Sequence, residues 1–290
     1  MEPIVYYNGA LLKESDAVIS PFSRGLHYGD GVFETMRSYE GRIFRFQDHE
    51  KRLFDGLEAL KIKADRGGSE LYNAAEKVLQ KNGLTDAGVK IIAFRQGGEG
   101  PAPPPGSGAS VLISAKPFDF ERKERCGNGI KGYVVSIRRN NFSPLSLIKS
   151  LNYLDNILGR LEAREYSADE ALFLNVHNKV AEGATSNIFI LRHGILYTPP
   201  VSSGILCGIT RDVVLHIANE AGTACHERDF FLDELKEADE AFLTNSLMEI
   251  MPLVSVNDTL IGKGVPGDIT MQLMQSYSTL VKKELKLNTG

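Results

Sequence analysis

Apolar and polar positions alternate along residues 1–20, with Asn8-Gly9 in the middle, and this period of two predicts a β-hairpin at the start of the chain. The stretch GVFETMRSYEGRIFRF (31–46) repeats the pattern around Glu40-Gly41 and predicts two short strands. From Asp48 the period lengthens. Leu53, Leu57 and Leu60 recur at helical spacing behind DHEKR, with acidic residues in the first turn, where the helix dipole favours them. Residues 69–82 predict a second helix closed by Gly83. GVKIIAFRQ (88–96) and ASVLISAKPF (109–118) predict buried strands. Between them, GGEGPAPPPGSG (97–108) is too rich in glycine and proline for regular structure and predicts an exposed loop.

The second half opens with a predicted strand at 130–137. NNFSPLSLIKSLNYLDNILGRLEA (140–163) then leads into a helix through residue 166 and puts Lys149 near where that helix begins. Strands are expected at 170–176, 187–192 and 195–198, a helix at 210–222, a strand at 240–244 with a short helix after Ser246, and a last helix at 268–286. The order gives an α/β chain of two domains, the first with antiparallel character: residues 1–118, a charged linker at 119–129, and residues 130–290.

Composition narrows the function. A chain of 290 residues with 42% hydrophobic and 24% charged residues is an ordinary globular protein with room for two cores. A net charge of −4 with no basic block gives no reason to expect nucleic acid. The three cysteines, Cys126, Cys207 and Cys225, are widely spaced and form no C-x-x-C pair, so neither a disulfide framework nor a metal site is expected. No run approaches a membrane span, the N-terminus does not resemble a signal peptide, and a reducing cytoplasm is the expected compartment.

Four segments of the second half carry candidate chemistry. Lys149 stands in an uncharged run, and a lysine among apolar neighbours favours the neutral amine, a nucleophile toward carbonyls. Its ordinary alternative is a surface lysine with its stem laid along apolar neighbours. Glu182, in VAEGATSNIFI, is a lone acid before a strand. It is either a partner for a buried cation or a turn residue beside Gly183. GITRD (208–212) opens an amphipathic helix. Free N–H groups there, with the Thr210 hydroxyl, suit a phosphate, unless Thr210 is a simple N-cap. Thr244-Asn245-Ser246 ends a buried strand and offers a second small-hydroxyl cradle or another ordinary cap. Together they make a nucleophilic amine, a carboxylate and two phosphate-ready turns, the set that holds pyridoxal 5′-phosphate.

The order of YGDGVFETMR, HEKRL, IKSLNYL, EGATSNIF, LYTPP, GILCGITR and ADEAFLTNSLMEIMP resembles the class IV, or fold-type IV, pyridoxal-phosphate aminotransferases over nearly the whole chain. That family includes branched-chain aminotransferases, D-amino-acid aminotransferases and aminodeoxychorismate lyases. The resemblance implies a smaller N-terminal and a larger C-terminal domain with the site at their interface, and a homodimer acting on amino acids and 2-oxo acids. It implies that Lys149 forms the Schiff base and moves the proton, that Glu182 pairs with the pyridine nitrogen, and that Arg52, Ile209, Thr210 and Ser246, with Asn245, bind the phosphate. Leu206 is expected on the ring face and Tyr153 near the 3′-oxygen. Ser186 and Asn187 belong to the shell around the cofactor.

Substrate choice is expected from the first half. Phe33 occupies a substrate-facing position without a tyrosine's hydroxyl, which favours an apolar side chain. Arg95 closes its strand and is the candidate for a substrate carboxylate. The Arg-x-His pair typical of the D-specific enzymes is replaced by GGEGPAPPPG. The first expectation is therefore a branched-chain-like transaminase. Aminodeoxychorismate lyase, favoured by IKSLNYL and FLTNS, comes second, and a D-amino-acid transaminase third.

Overall fold

The computed structural model describes residues 2–64, 68–98, 100–121 and 127–287. Residues 122–126 of the expected linker, with Cys126, and Glu99 of the expected loop lie outside the described residues. The chain's contacts group into two units, Met1–Phe118 with Ile148–Asn152, and Asp119–Leu147 with Tyr153–Gly290. The segment carrying Lys149 thus groups with the first unit.

The first unit is built on a six-stranded antiparallel sheet. Its strands are β1 (Ile4–Tyr7), β2 (Ala10–Lys13), β3 (Gly31–Tyr39), β4 (Arg42–Ile43), β5 (Ala87–Arg95) and β6 (Ala109–Pro117), in the order β2-β1-β6-β5-β3-β4. The Asn8-Gly9 turn takes positive φ at both residues, 47° and 97°, as a tight two-residue hairpin loop requires. The strands around Glu40-Gly41 are unequal, nine and two residues, and the second gives way through buried Phe44 to the helix that Phe46 opens. That helix, Phe46–Ala59, and the next, Gly68–Lys81, cover one face of the sheet. Val32 and Met36 of β3 pack there with Leu53, Leu57, Ala75 and Val78. Each of the larger side chains contributes roughly 1.5–3 kcal/mol by leaving water.

The second unit carries a nine-stranded mixed sheet. Its strands are β7 (Ile130–Arg139), β8 (Glu170–Asn175), β9 (Val180–Gly183), β10 (Asn187–Arg192), β11 (Ile195–Thr198), β12 (Cys225–Glu227), β13 (Glu240–Asn245), β14 (Glu249–Val256) and β15 (Thr259–Leu260). They run β12-β11-β10-β13-β14-β7-β8-β9, with β15 paired to β14. The longer helices are Leu154–Glu165, Ile209–Glu220 and Asp268–Leu285.

Three local expectations change. Lys149 does not stand at a helix start. A 3-10 turn at Pro144–Leu147 is followed by extended chain, and the α-helix begins only at Leu154. Phe33 N–H donates to Lys149 O at 2.9 Å, Leu151 N–H donates to Gly31 O at 2.9 Å, and Val32 bridges Ser150, so the lysine lies on a short strand-like edge of β3. The uncharged run around Lys149 thus serves this pairing rather than a helix start. Next, the chain after Ser246 is a turn and not a helix. Asn245 Oδ1 accepts the N–H groups of Leu247 and Met248, Glu249 takes φ 62°, and the chain reverses into β14. Finally, Thr210 is not the N-cap. Gly208 holds that position, and Thr210 lies inside the first turn with 3% of its surface exposed.

Candidate active site

Within the first unit, β3 sends alternate side chains to opposite faces of the sheet. Glu34 points to the helix-covered face, where it meets His49 and Arg52, three residues apart on Phe46–Ala59. Arg52 Nε donates to Glu34 Oε1 at 2.7 Å and Nη2 donates to Oε2 at 2.8 Å, a two-pronged pair. His49 Nδ1 lies 2.7 Å from Glu34 Oε2. Burial alone would raise the Glu34 pKa, but the bonds from Arg52 and His49 outweigh it and bring the carboxyl to about 2. Burial pushes His49 below the ordinary histidine value, and the charges of Arg52 and Lys149 push the same way against the pull of Glu34. The neutral ring then carries its proton on Nδ1, because a carboxylate oxygen only accepts.

The opposite face of β3 carries Phe33. Lys149 Nζ sits 4.6 Å from the centre of its ring. The resemblance had suggested Lys149 and Phe33 separately; the structure brings them together within one unit. Arg95, expected to meet a substrate carboxylate, is 5% exposed, and its guanidinium is committed elsewhere. It donates to Asp30 at 2.8 Å and to the carbonyls of Leu60 and Lys61 at 2.6 and 3.1 Å. Arg24 shares Asp30 at 2.7 Å and donates to Gly100 O, so this cluster ties β5 to the start of the 97–108 loop. Arg95 is thereby a structural residue.

Within the second unit, Glu182 lies in β9 rather than in a turn. Its Oε2 accepts the Leu206 N–H at 3.0 Å, and its Oε1 lies 3.1 Å from Arg139 Nε. Arg139 stacks on Phe173, 4.2 Å from the ring centre. Asn187 Nδ2 donates to Leu206 O at 2.8 Å, so the residue before Cys207 is held on both sides of its peptide. The register Asn187↔Thr244 brings the start of β10 beside the end of β13. Asn245 donates to Thr185 O at 3.0 Å and locks the two ends together. The turn between β9 and β10 is further held by Tyr153, whose hydroxyl donates to Ala184 O at 3.1 Å. Burial first, and the Glu182 charge second, push the Tyr153 phenol up to about 12, so it stays protonated.

These residues fit a phosphorylated pyridine. The hydroxyls of Ser186 and Thr244 are buried and have no hydrogen-bond partner among the described residues, an arrangement costly unless a ligand supplies one. The helix Ile209–Glu220 starts with Gly208 at its N-cap and no side-chain cap, which leaves its first N–H groups for an anion. A Cβ at Gly208 would collide with Asn187 Oδ1, so only glycine keeps this approach. Leu206, Ile209 and Thr210 lie on the segment that Asn187 holds through Leu206, and Asn245 and Ser246 follow Thr244, the ladder partner of Asn187. Among the described residues no cluster of histidine, cysteine or acidic side chains could hold a metal ion. No described helix is long and apolar enough to cross a membrane.

Sequence reasoning missed Glu34, His49 and Arg139. Glu34 and His49 had a signal: an acid alternating with apolar residues on a strand, and His49 one helical turn before Arg52. Arg139 had none, because it reaches Glu182 only through the pairing of β7 with β8.

The profile for amino-transferase class IV matches residues 31–256. A putative branched-chain-amino-acid aminotransferase of Methanocaldococcus jannaschii is 36% identical over 281 residues, covering 96% of each chain. The crystal structure of the Escherichia coli branched-chain amino acid aminotransferase superimposes with a TM-score of 0.92 at 31% identity, over 97% of this chain and 95% of that one. The branched-chain amino acid aminotransferase of Thermobaculum terrenum, solved in its pyridoxal-phosphate holo form, gives a TM-score of 0.88 at 30% identity, over 97% and 94%.

Proposed function

The chain belongs to the class IV aminotransferases, and from that premise we propose that it moves an amino group from a branched-chain amino acid to a 2-oxo acid such as 2-oxoglutarate, with pyridoxal 5′-phosphate as cofactor. The observation that carries this reading is Glu182. Its carboxylate is braced by Arg139 and by the Leu206 N–H, beside buried hydroxyls and an uncapped helix start.

Pyridoxal phosphate, when bound, supplies an electron sink for the charge that develops on the amino acid's Cα. The protein's own groups do the rest. Lys149 would hold the cofactor at its aldehyde carbon, and its free amine would serve as the base that takes and returns the proton at the substrate's Cα. Glu182 would hold a proton on the pyridine nitrogen, which a neutral side chain would release, and Arg139 braces its carboxylate. Ile209 and Thr210 hold the phosphate through a backbone N–H and a hydroxyl, with Ser246 and Asn245 beside them. Arg52, fixed in orientation by its two bonds to Glu34, adds positive charge for the same group. Tyr153 would stand near the 3′-oxygen, Leu206 would cover one ring face, and Ser186 and Asn187 would complete the shell. Phe33 offers the substrate an apolar ring without a hydroxyl, which supports an aliphatic side chain.

A homodimer is part of the proposal. Val18, Phe22 and Leu26 in the first unit are 70–75% exposed. In the second unit Leu154, Ile157, Leu158 and Leu161 form an exposed stripe at helical spacing, an apolar face of the kind a second copy covers. Free thiols at Cys207 and Cys225 support a reducing compartment, the cytoplasm.

The test is turnover by the purified protein. L-Leucine with 2-oxoglutarate should give 4-methyl-2-oxopentanoate and glutamate in equal amounts. Formation of 4-aminobenzoate from aminodeoxychorismate without an acceptor, or turnover of D-alanine but not L-leucine, would overturn the assignment.

A further inference from the structure

The turn 183–186, between β9 and β10, is gripped by a buried acid that the proposed reaction does not use. Glu170 is the first residue of β8 and is 1% exposed. Its Oε1 accepts the N–H groups of Ala171 and Ala184, each at 3.1 Å. Its Oε2 accepts the Thr185 hydroxyl at 3.3 Å and lies 3.2 Å from Arg160 Nη1. Arg160 Nη1 also donates to Asp169 O at 2.8 Å, which holds the guanidinium in place. Burial pushes the Glu170 carboxyl above its usual pKa, and Arg160 and the two N–H groups pull against that.

The same short turn carries or holds several site residues. Ala184 O accepts both the Tyr153 hydroxyl, at 3.1 Å, and Asn156 Nδ2. Thr185 O accepts Asn245 Nδ2 at 3.0 Å. Ser186 ends the turn, and its hydroxyl is buried without a hydrogen-bond partner among the described residues. The fit is tight: a Cβ on Gly183 would collide with Ser186 Oγ and lie 3.3 Å from Glu170 Cγ. Burying a carboxyl costs free energy that an apolar side chain of similar volume would not. What only the carboxyl provides is a pair of acceptors, one for a backbone N–H of the turn and one for a side-chain hydroxyl. Together they fix the turn against β8 and the helix Leu154–Glu165, which carries Arg160.

We propose that Glu170 is a positioning residue for the cofactor. Through the turn 183–186 it fixes where the Ser186 hydroxyl stands and, by way of the Ala184 carbonyl, where the Tyr153 hydroxyl stands. This rests on pyridoxal phosphate as the cofactor, and the test separates the two claims. The dissociation constant of pyridoxal phosphate is measured by absorption titration of the full-length apoprotein. Glu170→Gln sets an amide NH2 against the Arg160 guanidinium and the Thr185 hydroxyl, and it should weaken cofactor binding by about tenfold or more. In a background that lacks both hydroxyls, Ser186→Ala with Tyr153→Phe, the same change should weaken binding by less than about twofold. A residue that only supports the fold would weaken binding equally in the two backgrounds. That result, or unchanged binding in Glu170→Gln, would overturn the proposal. Thr185→Val removes one bond to Glu170 and should show the same dependence on background, at about threefold where both hydroxyls are present. It decides the matter should Glu170→Gln fail to fold. A wild-type protein that binds no pyridoxal phosphate would overturn the cofactor assignment, and this role of Glu170 with it.

Discussion

Two buried carboxylates, Glu34 and Glu182, each face an arginine, yet they are held differently. Glu34 is 1% exposed and is clamped by side chains, two bonds from Arg52 and one from His49. Those bonds join β3 to the helix Phe46–Ala59 and make the first unit's scaffold depend on the charge. Glu182 is 8% exposed, and its partners include a backbone N–H in the loop that leads to the phosphate-ready helix. Its charge fixes a loop and a functional group rather than the packing of a helix. The same residue type thus serves stability in one unit and, in the function proposed above, chemistry in the other.

Neutralising each carboxylate separates these roles, against the larger reference of Lys149. Lys149→Ala should reduce turnover by about 10⁴-fold or more while circular dichroism and the melting transition stay near wild type. Loss of the fold in that variant would mean the residue is structural. Glu182→Gln should lower kcat by roughly 10²-fold or more with little change in Tm, because a neutral amide cannot hold the pyridine proton. Glu34→Gln should do the reverse. It leaves Arg52 without its counter-charge and should cost about 3 kcal/mol in denaturant unfolding. Equal melting losses in the two glutamine variants would erase the contrast.

The pH dependence gives a smaller and more gradual effect of the same kind. The Glu34 carboxyl is lowered from 4.5 to about 2 on folding, so the unfolded chain binds this proton more readily. Its stabilisation is complete above about pH 4.5 and is lost as pH falls toward 2. Acid unfolding followed between about pH 5 and pH 2 should therefore be steeper in the wild type than in Glu34→Gln. The smallest expected change is in Gly208→Ala. The added Cβ meets Asn187 Oδ1, and fluorescence-monitored release of pyridoxal phosphate should speed up while Tm in the absence of the cofactor shifts little.

Much of this was legible in the sequence wherever local physics decides. The Asn8-Gly9 hairpin, the Leu53/Leu57 face and the phosphate-ready start near Ile209 follow from turn chemistry and periodicity. What was not legible depends on pairing between distant segments. Lys149 looked to stand near a helix start because its segment leads into one, and only the ladder with Gly31 and Phe33 makes it extended. Arg95 looked available because the sequence does not show that Asp30, Leu60 and Lys61 converge on it. The chain after Ser246 looked helical because the acceptor that turns it, Asn245 Oδ1, also belongs to an ordinary cap. The motif order pointed to the site residues, but it left open which of them are joined within each unit.

The most direct test of the central claim is the identity of the lysine that holds the cofactor. Borohydride reduction of the pyridoxal-phosphate-loaded protein, followed by peptide mass spectrometry, should find the pyridoxyl adduct on the peptide that contains Lys149, with stoichiometric loss of the visible absorption band. An adduct on Lys90, whose ammonium lies against the same Phe33 ring, or no adduct on any lysine, would contradict the account.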